Sequence, residues 1–141
     1  SIGLDRMFLA VFSSSLITEN LDDNSQRIVL KIPKILAPYK IAFLPLIKKD
    51  GLPEIAKEIQ EKLKLKFNTI YDEKDAVGRR YRRQDAIGTP YCVTVDHQTL
   101  EDNSVTIRHR DTMKQERISI DKLEKFLSSS LDINNWLLNS A

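Results

Sequence analysis

The densest cluster of chemically capable side chains is Gly78-Arg79-Arg80-Tyr81-Arg82-Arg83, which sets four arginines around one tyrosine. A guanidinium grips a phosphate through two parallel hydrogen bonds, and a tyrosine ring offers a platform for an unstacked base, so the combination suits RNA. Arg108, Arg110, Lys114 and Arg117 follow downstream. The same run also suits a solvated helix face paired with Glu73, Asp75 and Asp85, and residue types alone leave both readings open. At helical spacing Tyr81 shares a face with Val77, which fits a core position as well as a ligand platform. Other chemistries are poorly provided for. Cys92, His97 and His109 are too few and too scattered to close a metal site, and a lone cysteine in an alternating strand is no nucleophile. Gly3, Gly51, Gly78 and Gly88 lie too far apart to form a phosphate-binding loop. These residues hold no complete active site.

Around these residues is one domain's worth of chain: 141 residues, 41% hydrophobic and 30% charged, enough for a sizeable core and inconsistent with a disordered tail. With 22 Lys+Arg against 20 Asp+Glu the net charge is +2, so any nucleic-acid surface must arise by local clustering. One cysteine excludes an internal disulfide framework and fits a reducing compartment. The densest apolar run, residues 41–47, is too short to span a bilayer, and no leader-like segment opens the chain. These features predict a cytoplasmic protein without a membrane segment. Ser1 in place of a methionine suggests a processed chain or a piece of a longer one.

Three regions differ in composition. Residues 1–16 carry an apolar run, Met7 to Phe12, suited to a helix inside something larger. Residues 17–38 read as a connector: a polar loop, then a short extended segment from Arg27 to Ile32. From Tyr39 the pattern is that of an α/β unit. Residues 40–47 fit a strand buried on both faces, with Pro45 near its end. Leu52, Ile55, Ala56, Ile59 and Leu63 recur at helical spacing, and Phe67 to Tyr71 follows as a strand, giving a parallel crossover. A second helix is expected over Asp75 to Gln84. Alternation around Tyr91–Val95, Val105–Arg108 and Arg117–Ile120 predicts three antiparallel strands joined by polar turns, one face apolar and the other polar. Asp121 and Glu124 would box the start of a last helix carrying Leu123, Phe126, Leu127 and Leu131. The tail, with Ile133, Trp136, Leu137 and Leu138, is expected to pack back. The predicted class is α/β: a mixed five-stranded sheet flanked by three helices.

Four segments, in order, resemble the C-terminal end of class II aminoacyl-tRNA synthetases, most closely the bacterial homodimeric glycyl type. Ser1-Ile2-Gly3-Leu4-Asp5-Arg6 resembles the third signature motif of their catalytic domains. Ala37-Pro38-Tyr39-Lys40 leading into Ile41–Ile47 resembles the entry strand of the anticodon-binding domain shared by glycyl, histidyl, prolyl and threonyl enzymes. Ala86-Ile87-Gly88-Thr89-Pro90-Tyr91 resembles the turn after that domain's second helix, and Val105 to Arg117 its hairpin. Gly78 to Tyr81 with Asp85, and Thr94-Val95-Asp96 followed by Thr99-Leu100-Glu101-Asp102, favour the glycyl branch. His109 departs from the acidic residue often found there.

The resemblance implies a catalytic-domain remnant over 1–20, a connector over 21–38 and an anticodon-binding domain over 39–141. It implies ATP contact by Gly3, Asp5 and Arg6, and contact with the anticodon loop of tRNA(Gly) by Arg79, Arg80, Tyr81, Arg82, Arg83, Asp96, Glu101, Arg108 and Arg110. The intact enzyme would be a homodimer joining glycine to tRNA with ATP and Mg2+. This piece alone would need no cofactor, hold no metal and be catalytically inactive. The rival is a non-catalytic relative such as the accessory subunit of a mitochondrial DNA polymerase, against which the set Gly3, Asp5 and Arg6 argues. A nucleotide-binding enzyme on the same crossover is disfavoured because no glycine-rich turn follows Ile47.

Overall fold

The computed structural model of the chain describes residues 14–132. The expected helix in 1–16, the ATP-contacting set Gly3, Asp5 and Arg6, and the back-packing tail lie outside those residues. Leu16–Asn20 (β1) and Gln26–Leu30 (β2) pair antiparallel as a two-stranded sheet. Their turn is closed by Leu21 N–H on Ser25 O, with Asn24 in the left-handed region at φ 65°. The connector expected over 21–38 thus contributes a strand to a hairpin that begins before it. A short 3-10 turn, Lys34–Leu36, leads on to Ile41–Pro45 (β3).

The crossover follows as the periodicity predicts: Leu52–Leu63 (α1), then Thr69–Tyr71 (β4), parallel to β3. Gly51 at φ 76° supplies the left-handed residue that opens α1, and Pro53 sits in its first turn. Val77–Ile87 (α2) carries the chain across to Tyr91–Val95 (β5), also parallel to β3, on its other side. Gly88, left-handed at φ 84°, closes α2. A Cβ there would meet Leu30 O and Leu30 Cδ2 at 3.1 Å, so this glycine is also where the helix end touches the hairpin. Ser104–His109 (β6) and Gln115–Ser119 (β7) then add antiparallel strands. The five-stranded order is β4-β3-β5-β6-β7. Pro45 is the last residue of β3, as a residue without an N–H requires.

Two layers of helix cover this sheet. Leu52, Ala56, Ile59 and Leu63 of α1, with Leu123 and Leu127 of Ile120–Ser130 (α4), pack on Ile41, Phe43, Tyr91, Val93, Val95, Val105 and Ile107. On the other face Ala42, Leu44 and Cys92 meet Ile70, Val77 and Tyr81, which places α2 there. Three expectations are corrected. The face of β5 expected to stay polar and open is covered by α2, so all five β5 residues are buried. The span 97–104, expected as a turn, contains a short helix, His97–Asp102 (α3), opened by a reciprocal cap between Asp96 and Thr99. α4 starts at Ile120, capped by the Ser119 hydroxyl accepting from Asp121 N–H, so Asp121 is a first-turn residue and not the cap.

Candidate nucleic-acid interface

The arginines of α2 lie on one helix, about 100° apart per residue, and so point in different directions. Arg80 points inward and is 2% exposed. It donates to the carbonyls of Lys74, Asp75 and Pro45, tying the loop after β4 to the end of β3. Tyr81 is half-buried. Its hydroxyl shares a 2.7 Å hydrogen bond with Thr94, and the Arg108 guanidinium lies 4.7 Å from its ring centre. Burial raises its pKa, so it stays a neutral phenol. Arg83 grips Asp72 at 2.8 Å and Asp75 at 2.8 Å, and the latter contact holds the Asp75 carboxyl below its ordinary range. Arg79 is exposed, with no hydrogen bond or ion pair to the described residues. Arg82 is exposed too, its nearest carboxylate being Asp85 at 3.5 Å.

Asp85 is fully buried and already engaged. Arg108 binds it bidentately at 2.7 and 3.0 Å, and Arg27 of β2 reaches it at 3.2 Å. Arg27 also donates to Arg110 O and Asp111 O and meets Glu19 at 2.7 Å. Arg110 in turn donates to Gly88 O and Ile32 O, both at 2.8 Å. Three predicted RNA contacts are therefore placed differently from the expectation. Arg80, Arg108 and Arg110 are each at most 3% exposed and engage groups inside the fold. The physical reason is α2, which covers the sheet face on which Arg108 sits. Arg27 was overlooked. Its parity with Val29 in an alternating strand put it on the inward face, and that was the available signal.

A second cluster forms at the carboxyl ends of the parallel strands. The path leaves β3 by α1 toward one side and returns by α2 to the other, so strand order reverses between β3 and β5, where α/β sheets open a crevice. The loop after β3 presents Leu46, Ile47, Lys48, Lys49 and Asp50 to solvent, and Asp50 meets His97, the first residue of α3, at 2.9 Å. Asp96 sits beside them, held by both Arg117 terminal nitrogens at 2.6 and 2.7 Å and capping α3. Arg117 lowers the Asp96 pKa, fixing the carboxylate as an acceptor. Glu101 is exposed on α3 and without a partner among the described residues. Asp96 and Glu101 thus share this edge, and the first turn of α2, with Arg79, starts from it.

The remaining chemistry is inert. Burial pushes the Cys92 thiol up to about 12, far from a reactive thiolate. Among the described residues no group of three or more His, Cys, Asp or Glu could hold a metal ion, and no helix is long and apolar enough to cross a membrane.

Comparison with known proteins gives this arrangement a context. A family model described as "Anticodon binding domain" matches residues 40–130. The glycine–tRNA ligase of Mycoplasma capricolum is 52% identical over 132 residues, 94% of this chain and 28% of its own length. That of Borrelia hermsii is 47% identical over 131 residues, 93% of this chain and 29% of its own. The chain therefore spans less than a third of these curated relatives. Among solved structures, the RNA binding domain of threonyl-tRNA synthetase from Cryptosporidium parvum superposes with a TM-score of 0.64 at 25% identity, covering 71% of this chain and 25% of that one. Prolyl-tRNA synthetase from the same organism, at TM-score 0.68 and 24% identity, covers 79% of this chain and 24% of that one, and shares the fold.

Proposed function

Because the chain belongs to the anticodon-binding domain family, we propose that it is the tRNA-recognition part of a glycine–tRNA ligase. The observation that carries this reading is the roughly half identity to such ligases along nearly the whole chain. The loop of tRNA(Gly) would enter the crevice at the carboxyl ends of β3, β4 and β5. Glycine anticodons end in two cytosines, and an unstacked cytosine presents an N4 amino donor that a carboxylate accepts. Asp96, aimed by Arg117, and Glu101 are the acceptors at this edge, while Lys48, Lys49 and Arg79 are cations able to hold nearby phosphates. Arg80, Arg108 and Arg110 act as positioning residues that fix the elements carrying those groups. The ligase relatives named above give no support to the polymerase-subunit alternative.

The parent enzyme would be a cytoplasmic homodimer that activates glycine with ATP and Mg2+, chemistry for which the described residues provide no site. The test is filter binding of anticodon stem-loops to the 141-residue chain. A matched loop should bind more tightly than one with either cytosine replaced. Asp96→Ala should reduce that discrimination by about 1–3 kcal/mol if its contact is a good base pairing. Equal affinity for matched and mismatched loops in the unmutated chain would overturn the reading.

A further inference from the structure

Beyond the crevice lies an open groove of about 550 Å³ between α2 and the β1–β2 hairpin, lined by Ile28, Asp75, Arg79, Arg82, Arg83 and Ala86 among others. Its walls are fixed before any ligand arrives. Arg27 runs beneath the hairpin to Asp85 of α2, and the same guanidinium is pinned by two backbone carbonyls. The charge around the groove is unbalanced. One carboxylate, Asp85, serves Arg27, Arg82 and Arg108, and the two others bind it more closely than Arg82 does. Arg79, one helical turn before Arg82, has no counter-ion bonded to it. Asp75, the carboxylate in the groove lining, is bonded to Arg83 and reaches Arg79 only through space, so Arg79, Arg82 and Arg83 together leave the wall net positive, with Arg79 and Arg82 about 4.5 Å apart along the helix axis.

The floor is apolar but slight. Ile28 is 53% exposed at a position where its neighbours Arg27 and Val29 are buried, and Ala86 is exposed beside it. No aromatic side chain lines the groove to anchor a protein partner, the feature that interface centres favour. Nor does it offer the convergent donors and acceptors that read base edges. What it offers is cations along a track, the requirement for a phosphodiester backbone. α2 starts at the edge where the loop would be read and runs back along the sheet, so an RNA stem leaving the crevice over α2 would follow this track.

The geometry points to the α2–hairpin groove as a sequence-independent binding track for the phosphodiester backbone of the anticodon stem, with the hairpin as one of its walls. This inference rests on the anticodon reading above and deepens it. The family match starts at residue 40, so residues 16–30 lie outside it, and the groove gives them a part in RNA binding.

The experiment uses the 141-residue chain, a matched anticodon stem-loop and the same seven-nucleotide loop without its stem. Arg79→Ala, Arg82→Ala and Ile28→Glu are compared across a salt series, with thermal unfolding as the check on folding. Each variant should bind the stem-loop about 3- to 10-fold more weakly, and each arginine variant should flatten the dependence of log affinity on log salt by about 0.7–1. For Arg82→Ala and Ile28→Glu, affinity for the stemless loop and the ratio of matched to mismatched loops should not change, whereas Arg79→Ala, at the crevice edge, should weaken both ligands. If Arg82→Ala and Ile28→Glu bind the stem-loop like the unmutated chain while discrimination persists, the groove is not an RNA track, though the anticodon reading survives. Equal weakening of Arg82→Ala or Ile28→Glu toward the stemless loop would also overturn the track. Loss of discrimination in the unmutated chain would sink the anticodon reading itself.

Discussion

The arginines of the interior and those of the α2 surface are the same side chain under opposite conditions. Arg27, Arg80, Arg108 and Arg110 are buried, and each satisfies its fork with backbone carbonyls, a shared carboxylate or both. Arg79 and Arg82 keep theirs in water. A buried guanidinium is tolerable only when its donors are paired, because an unpaired buried charge costs several kcal/mol. The exposed ones are free of that demand and are available to a ligand. A cluster of arginines in sequence therefore does not make a surface of arginines. The helix sorts them, and partners on other elements decide which become framework.

The largest test of this contrast is Asp85→Ala, which strands Arg108 without its carboxylate and leaves Arg27 with Glu19 alone. Urea unfolding should show a loss of about 3–5 kcal/mol. A loss below about 1 kcal/mol would mean that the interior set is not framework. Next is Arg110→Lys, which keeps the charge but presents a point donor where a planar fork reaches Gly88 O and Ile32 O together. One buried carbonyl is left unpaired, so a loss of about 1–3 kcal/mol is expected by the same measurement. Full rescue by lysine would show that charge alone suffices.

Asp96→Asn sharpens the comparison at a half-buried pair. The folded-state pKa of Asp96 is depressed by Arg117, so the pair adds stability above the unfolded value of about 3.9 and loses it as pH falls through the folded value. Asparagine keeps a cap oxygen for Thr99 N–H and removes the charge. The variant should be about 1 kcal/mol less stable at pH 7, the gap closing as the pH falls below the unfolded value of about 3.9, read from unfolding curves at pH 7 and at acid pH. Stability losses of the same size at both pH values would assign the effect to capping alone. The smallest effect belongs to Arg79→Ala, expected within about 0.5 kcal/mol of the parent in stability. A larger change would mean that Arg79, too, belongs to the framework.

Much of the fold was legible. The spacing of Leu52 to Leu63 and the alternation of three later segments each carry a period that only one element type satisfies, and the apolar run over 41–47 has a strand's length, bounded by Pro38 and by Asp50-Gly51. What escaped had weaker or relational signals. The six-residue α3 presents too few turns for a period, and its only mark is the Asp96/Thr99 cap. β1 is five residues of mixed polarity, visible as a strand only through pairing with β2. For the site, alternation placed Arg108 correctly on the polar face of β6. Whether that face meets water or another helix is not a local property, and here Tyr81 and Asp85 of α2 cover it. A single acid, Asp85, amid the α2 arginines was the clue that some of them turn inward.

The edges of the five-stranded sheet carry one more consequence. On one side β4 is only three residues long, and on the other β7 exposes Gln115, Glu116 and Arg117. Short strands and charged residues at an edge oppose the lateral addition of a foreign strand, so this sheet is poorly suited to continue into a second copy of itself or to seed fibrillar stacking. These borders act as terminators of the sheet, so contacts with other molecules fall to its helices and loops.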